Sequence, residues 1–209
     1  MSRDVNREEG RIKIPEEQTA GKTKRVLLST AYDGTNYCGW QVQKNGETIE
    51  SVLNRTLSAL FGREITVIGA SRTDSGVHAL GNVAVFDTDA RMPAEKIAYA
   101  LNSRLPEDIR IQRSFEVPSD FHPRKTLCIK TYEYRILNRE FELPSERMNS
   151  YFFRRKLDVG RMQAACPYFL GEHDFKSFCS VHTQAESTVR TIYSLEAAAQ
   201  ELDSQGRLI

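Results

Sequence analysis

The polar run GASRTDSGVH, at residues 69–78, concentrates the residue types that carry nucleophilic and acid–base chemistry. It places Arg72, Asp74 and His78 within one short segment. An ionised carboxylate acts as a nucleophile or a general base, and a nearby guanidinium favours its ionised form. The spacing therefore predicts a catalytic loop with Asp74 as the reactive group and Arg72 as its ion-pair partner. The alternative is a turn aspartate that caps backbone amides beside a surface arginine.

Three other chemistries have weaker support in the sequence. The pentapeptide around Ser71, GASRT, lacks the final glycine of G-x-S-x-G, which disfavours a serine hydrolase. Neither a P-loop nor G-x-G-x-x-G occurs, so we expect no nucleotide cofactor. Four residues have the atom types of zinc ligands: Cys166, His173, Cys179 and His182. Their spacing lacks the paired C-x2-C and H-x3-H pattern of structural zinc sites, so we predict no metal and free thiols in a reducing cytoplasm.

The charge of the chain is unevenly distributed. The formal net charge is +1, but residues 121–161 carry ten basic and five acidic side chains, which leaves +5 there and −4 elsewhere. Lysine and arginine contacts to phosphates supply most non-specific affinity for nucleic acids. The segment is therefore either a phosphate-binding surface or a solvated face. No apolar run approaches the ~20 residues that a membrane helix needs, and residues 1–24 lack the apolar stretch of a secretory signal.

The candidate loop must be held by regular elements on both sides. After a disordered tail at residues 1–24, apolar periodicity over residues 25–118 predicts strand, helix, strand, strand, helix and strand. This order is typical of a ferredoxin-like, or split βαβ, domain. Residues 69–79 connect its second and third strands. The individual predictions are strands at 25–32, 64–69, 81–86 and 108–117, and helices at 48–61 and from Pro93.

The second half, residues 119–209, begins in the same way. We predict a strand at 128–137 with Lys130, Tyr132 and Tyr134 on one face, and a strand at 188–197. Between them lies a helix from residue 159 that Pro167 should kink or end. A turn follows at 201–206. The predicted fold class is α+β, with two ferredoxin-like units that have antiparallel sheets, the second of them incomplete.

Five motifs, in this order, carry a resemblance to a known family: YDGTNYCGWQ (32–41), GASRTDSGVHA (69–79), DFHPR (120–124), KTYEYR (130–135) and LGEHDF (170–175). Together they resemble the bacterial tRNA pseudouridine synthase A family, from about residue 25 to residue 197. Ser71 and Ser75 stand where this family commonly has glycine and alanine.

The resemblance implies an activity and three catalytic residues. It implies isomerisation of uridine to pseudouridine at positions 38, 39 and 40 of the tRNA anticodon stem-loop, without a cofactor, by a cytoplasmic homodimer. Asp74 matches the catalytic aspartate, which attacks the nucleotide at ribose C1′ or by a related route. Arg72 matches the arginine that pairs with it and helps to open the stem. Tyr132 matches the tyrosine that packs on the target base.

The basic segment then acquires an expected use, because phosphate contacts position RNA without reading its sequence. The expected tRNA-binding residues are Arg124, Lys130, Arg154, Arg155, His78 and Gln41. Trp40 either shapes the site or packs in the core. The family continues beyond the strand at 188–197 with a further strand and helix, so the resemblance also implies a C-terminally truncated chain. The alternative function is therefore a catalytically impaired RNA-binding remnant of the same family.

Overall fold

The computed structural model describes residues 22–180, 186–203 and 206–209. The predicted N-terminal tail falls almost wholly outside this range. Two units are distinguished, one ending at Cys128 and the other comprising residues 129–209. The first includes the segment after residue 118, because the Arg25 side chain donates to the carbonyl of Phe121 at 2.9 Å.

The first unit has the predicted order of elements. They are β1 (Lys24–Tyr32), α1 (Ile49–Phe61), β2 (Ile68–Gly69), β3 (Ala79–Thr88), α2 (Ala94–Asn102) and β4 (Ile109–Val117). The four strands form one antiparallel sheet in the order β2-β3-β1-β4. The buried faces of both helices and of the central strands form a single core, which includes Val26, Leu28, Trp40, Leu53, Phe86 and Leu101.

The second strand is shorter than the sequence predicts. Of residues 64–69, only Ile68–Gly69 pairs with β3. The backbone amides of Ile65 and Val67 donate instead to side-chain oxygens of α1, each at 2.9 Å. A β-branched run can satisfy its amides in either way, and here the helix supplies the acceptors.

Helix α1 begins with a capping box. The Thr48 side chain accepts from the backbone nitrogen of Ser51 at 3.2 Å, and the Ser51 hydroxyl accepts from the backbone nitrogen of Thr48 at 3.1 Å. These bonds satisfy two amides that the first helical turn leaves without partners. Gly62 ends the helix in the left-handed conformation.

Replacement of Thr48 by alanine tests this cap. The side chain is fully buried, and loss of an N-cap oxygen costs about 1 kcal/mol of unfolding free energy. We expect Thr48→Ala to lose that amount in urea denaturation. Thr48→Ser keeps the accepting oxygen and should lose less. Equal losses in both variants would contradict a role for the cap bond.

The second unit has more regular structure than the sequence predicts. Its elements are β5 (Ile136–Arg139), β6 (Tyr151–Phe153), α3 (Val159–Ala165), β7 (Gly171–Asp174), β8 (Val189–Ile192), β9 (Gln200–Asp203) and β10 (Gly206–Leu208). Four of these strands form a sheet in the order β6-β5-β10-β9, and β7 and β8 form a separate antiparallel pair. The β5–β6 pair is parallel, so the expectation of purely antiparallel pairing is wrong there.

Two predicted strands of this unit are shorter in the structure, and one prediction about its helix is confirmed. The predicted strand at 188–197 is regular only over Val189–Ile192, where it pairs with β7. The predicted strand at 128–137 is regular only from Ile136, because only its end has neighbours, β6 and β10, to pair with. Of the predicted turn at 201–206, residues 201–203 belong to β9 and Gly206 begins β10, which pairs antiparallel with β9. Residues 204–205, between these two strands, lie outside the described residues. The early end of the helix is confirmed: α3 stops at Ala165, and a 3₁₀ helix carries Pro167.

No helix in the described ranges is long and apolar enough to cross a membrane.

Candidate active site

The candidate loop, residues 70–78, joins β2 to β3 where β1 also ends. Tyr32, the last residue of β1, pairs in register with Ala79, the first residue of β3. The loop begins beside β3, where Ala70 donates its backbone amide to the Val83 carbonyl at 2.7 Å. A rigid sheet therefore fixes both ends of the segment that carries Asp74.

The buried Tyr32 side chain supports the loop through hydrogen bonds. The Tyr32 hydroxyl lies 2.9 Å from the Thr73 hydroxyl. The Asn82 amide donates to Tyr32 at 3.2 Å and to the Ser71 carbonyl at 3.1 Å. Burial raises the pKa of Tyr32 above its usual value, while its bonds to Thr73 and Asn82 act in the opposite direction. This network fixes the loop on both sides of Arg72.

The connection between β1 and α1 forms the second support. The backbone amide of Trp40 donates to the Thr73 carbonyl at 3.0 Å. Gly39 has φ +82°, and a Cβ there would lie 2.5 Å from the same carbonyl oxygen. Only glycine permits both this backbone conformation and this approach. The two segments are therefore in direct backbone contact next to Asp74.

Trp40 is itself buried, with 2% of its surface exposed. Its indole packs beneath Gly69, where a Cβ would lie 2.3 Å from Nε1. It also lies against the Tyr32 ring, with centroids 6.0 Å apart. Of the two expectations for Trp40, packing in the core is confirmed, and the indole lies against the backbone at the foot of the loop.

A third support comes from Tyr37. Its carbonyl accepts from the Ser75 hydroxyl at 3.1 Å and from the Gly76 amide at 3.3 Å. Its own hydroxyl donates to Asp108 at 2.7 Å. Burial, and then the Asp108 carboxylate, raise the pKa of Tyr37. Ser75 thus adds a side-chain bond that an alanine at this position would lack.

Asp74 itself lies at the exposed tip of this supported loop. Its carbonyl accepts from the Val77 amide at 3.2 Å, which closes a turn. The Asp74 and Arg72 side chains are both exposed. Within the described ranges no ion pair joins them, so the predicted pair is not formed in this structure. The carboxylate is accessible to a large ligand while its backbone is held in place.

His78 is engaged with the end of β1. Its Nδ1 lies 3.2 Å from the backbone nitrogen of Gly34 and 3.0 Å from Asp33 Oδ1. Hydrogen bonds from the Thr35 hydroxyl and amide, with a smaller contribution from His78, hold the pKa of Asp33 below its usual value. The predicted role of His78 in RNA binding is untested by these contacts.

The predicted RNA-binding and base-stacking residues fall in both units. Arg124, in the first unit, donates from Nε to the Gly69 carbonyl at 2.9 Å. Gln41, in the same unit, is exposed. The remaining predicted residues belong to the second unit and are all exposed: Lys130, Tyr132, Arg154 and Arg155. Tyr132 is 80% exposed, and it follows the first unit in an irregular segment rather than in the predicted strand.

The cysteine and histidine residues considered as zinc ligands are not brought together in the described part of the chain. Cys166 is buried, with its thiol 3.4 Å from the Met162 carbonyl, and His173 Nε2 lies 2.8 Å from the Leu170 carbonyl. Cys179 is exposed, and His182 lies outside the described residues. Among the residues that the structure describes, no group of three or more histidine, cysteine or acidic side chains is placed to hold a metal ion.

The Tyr32 network yields a pH-dependent prediction. At neutral pH, Tyr32→Phe should lower the unfolding free energy by about 1 kcal/mol, the usual net value of a hydrogen bond. Because the pKa of Tyr32 is raised on folding, its contribution is present below the unfolded pKa of about 10 and is lost as pH rises above it. Urea titrations at pH 7.5 and 10.5 should show the difference from wild type shrinking.

Tyr99→Phe is a suitable control, since Tyr99 lies on α2 with 74% of its surface exposed. It should leave the unfolding free energy nearly unchanged at neutral pH. A Tyr32→Phe difference that stayed constant through pH 10.5 would contradict the effect of burial on this phenol.

Comparison with known proteins identifies the chain. The sequence model described as tRNA pseudouridine synthase matches residues 28–124 and 165–207, which include the loop and all of its supports. The chain belongs to the tRNA pseudouridine synthase family.

Members of this family are similar to the chain over most of its length. A tRNA pseudouridine synthase A of Ruminiclostridium cellulolyticum is 46% identical over 178 residues, which cover 85% of this chain and 73% of that protein. The Acetivibrio thermocellus protein of the same name is 47% identical over 169 residues, which cover 81% of this chain and 69% of that protein. The Thermoanaerobacter pseudethanolicus protein of that name is 43% identical over 178 residues, which cover 85% of this chain and 73% of that protein.

Sequence reasoning missed most of the loop supports. Tyr32, Tyr37 and Gly39 all belong to the motif YDGTNYCGWQ, which pointed to the family but not to these contacts. The available signal was the density of glycine and aromatic residues between a strand and a helix. Asn82 carried no such signal, because an asparagine within a strand is equally consistent with an exposed position.

Proposed function

We propose that this protein is an isomerase that converts uridine in tRNA to pseudouridine. Membership of the tRNA pseudouridine synthase family supports this function. One observation carries the assignment of the site: Asp74 is an exposed carboxylate on a loop whose backbone is hydrogen-bonded to two neighbouring segments. A fixed, accessible carboxylate suits attack on a large polymeric substrate.

The proposed reaction keeps all atoms within the nucleotide apart from exchange of a proton. The Asp74 carboxylate attacks ribose C1′, and the bond from C1′ to uracil N1 breaks with its electron pair on N1. The uracil turns and its C5 bonds to C1′, which releases the carboxylate. C5 then loses its proton and N1 gains one. Because bonds broken and formed balance, this route needs no electron or group donor.

Two further side chains are assigned roles in this reaction. The target base must leave its stack before C1′ is accessible, and stacking on an aromatic ring offsets part of that cost, by about 1–3 kcal/mol per base. Tyr132, an exposed aromatic side chain, is proposed to supply the ring. Arg72 is proposed to pair with Asp74 when RNA is bound and to help hold the stem open. Its exposure and its place in the same loop as Asp74 support this role.

We further propose that the substrate uridines are those at positions 38, 39 and 40 of the anticodon stem-loop. Phosphate contacts would come from the exposed basic residues Arg124, Lys130, Arg154 and Arg155, and His78 and Gln41 are also proposed to bind the RNA. A homodimer in the cytoplasm is the proposed working form. The strand order β2-β3-β1-β4 supports a ferredoxin-like first domain.

Release of tritium from C5-labelled uridine tests the function directly, because in the proposed reaction C5 loses its proton once it is bonded to C1′. We expect release from an anticodon stem-loop labelled at positions 38–40. The same hairpin labelled only at uridines elsewhere should release none. Binding without release from either RNA would contradict the isomerase and favour an RNA-binding protein.

A further inference from the structure

Arg124 contacts the foot of the candidate loop. Its Nε donates to the Gly69 carbonyl at 2.9 Å, although the two residues lie 55 positions apart in the sequence. Gly69 is the last residue of β2, the edge strand from which the loop leaves the sheet. This side chain therefore acts on the backbone at the point where the segment carrying Asp74 begins.

The backbone of Arg124 is itself held by the first unit. The Phe121 carbonyl accepts from the Arg25 guanidinium at 2.9 Å. The amide of Arg124 donates to His122 Nδ1 at 3.2 Å, and Pro123 is buried. A tight turn thus presents the arginine to β2, so the bond to Gly69 is supported from both ends.

Most of the hydrogen-bonding capacity of the Arg124 guanidinium remains available. An arginine has five N–H donors, of which Nε–H is used here. Among the described residues, no acceptor is bonded to the terminal Nη groups of Arg124. The side chain is also exposed. A planar guanidinium can bond a carbonyl on one edge and a phosphate on another, which a lysine ammonium does less well.

We propose that Arg124 is a positioning residue that joins a backbone phosphate of the bound RNA to the loop carrying Asp74. Nε holds the Gly69 carbonyl while the Nη groups bind the phosphate. The inference rests on the proposed function, since it takes tRNA as the ligand. It adds that this contact sets the position of the catalytic loop in addition to contributing affinity.

Two simpler roles predict different behaviour. A phosphate contact alone would depend only on charge, so lysine would replace arginine fully. A purely structural bond to Gly69 would leave the salt dependence of RNA binding unchanged on removal. The dual role requires both the positive charge and the several N–H donors of a planar guanidinium. Arg124→Lys keeps the charge and removes the guanidinium, whereas Arg124→Gln removes both.

The first measurement is the binding of an anticodon stem-loop hairpin at several salt concentrations. Each phosphate contact contributes nearly one to the slope of log affinity against log salt. Arg124→Gln should reduce that slope by about one, and Arg124→Lys should preserve it. An unchanged slope in Arg124→Gln would overturn the phosphate contact.

The second measurement separates kcat from KM in tritium release. We expect Arg124→Lys to keep KM near that of wild type and to lower kcat by about tenfold, because small displacements of catalytic groups carry large costs in rate. Full recovery of kcat by lysine would overturn the positioning role. Arg113→Gln is the matched control: Arg113 is an exposed arginine on β4, at the opposite edge of the sheet, and its loss should change neither quantity.

The third measurement uses the protein without RNA and therefore does not depend on the proposed reaction. Amide hydrogen exchange at Ala70 and Trp40 reports the bonds at the start and middle of the loop. Both amides should exchange faster in Arg124→Gln than in wild type or Arg113→Gln. Unchanged exchange would overturn the anchoring of the loop. If wild type released no tritium, the proposed function would fail while this result still tested the anchor.

Discussion

Replacement of Asp74 by asparagine should lower tritium release by at least about 10³-fold, the scale on which loss of a catalytic nucleophile acts. Asparagine keeps the size of the side chain but cannot form the bond to C1′. Because Asp74 is exposed and its side chain makes no hydrogen bond within the described residues, the unfolding free energy should change by less than about 0.5 kcal/mol. RNA affinity should stay close to that of wild type.

The matched control for this experiment is Glu116→Gln. Glu116 is an exposed acid on β4, at the edge of the sheet away from β2, and its replacement removes the same charge from the same unit. It should leave release, binding and stability unchanged. Release by Asp74→Asn within tenfold of wild type would contradict the assignment of Asp74 as nucleophile.

Gly39→Ala should have a large effect, although Gly39 is not one of the reacting groups. The new Cβ would lie 2.5 Å from the Thr73 carbonyl oxygen and 3.1 Å from the Asp74 carbonyl carbon, while the backbone has φ +82°. Backbone strain in the left-handed region and overpacking by the new Cβ together should lower the unfolding free energy by about 2–4 kcal/mol. The loop next to Gly39 must shift to relieve the contact, so kcat should fall by about 10²-fold.

Gly62→Ala separates the effect of backbone strain from the effect of steric overlap. Gly62 also has positive φ, +68°, but nothing lies within 4 Å of the position of its Cβ. Gly62→Ala should therefore lower the unfolding free energy by about 1 kcal/mol, from backbone strain alone, and keep the wild-type kcat. Activities are compared at a temperature where circular dichroism shows both variants to be folded. Equal kcat for the two variants would contradict the claim that Gly39 positions Asp74.

Much of the first unit follows from local sequence pattern. The large apolar residues of α1 recur at helical spacing and pack into or against one core, so the helix is predictable from residues 48–61 alone. Pro167 ends α3 for a reason contained in its own chemistry, the missing N–H and the bulk of its ring. The loop at 69–78 is likewise recognisable from residue types alone, because an arginine, an aspartate and a histidine are concentrated there.

Local pattern fails where pairing depends on a distant segment. Residues 128–135 have the composition of a strand, but among the described residues no strand pairs with them, and only Ile136–Arg139 has neighbours, the distant strands β6 and β10. The predicted bond between Arg72 and Asp74 fails for a related reason. Residues two positions apart in an irregular loop have no fixed mutual orientation, so their spacing does not bring them together.

The sequence alone determined which residue types are available for the proposed chemistry, because reactivity depends on residue type: a carboxylate at position 74, and arginines, aromatic residues and glycines around it. Only the tertiary structure decided how that carboxylate is held. The contacts of Gly39 with Thr73, of Tyr32 with Asn82, and of Arg124 with Gly69 join segments far apart in the chain. Such contacts arise from packing the sheet against its helices, and no local pattern encodes them.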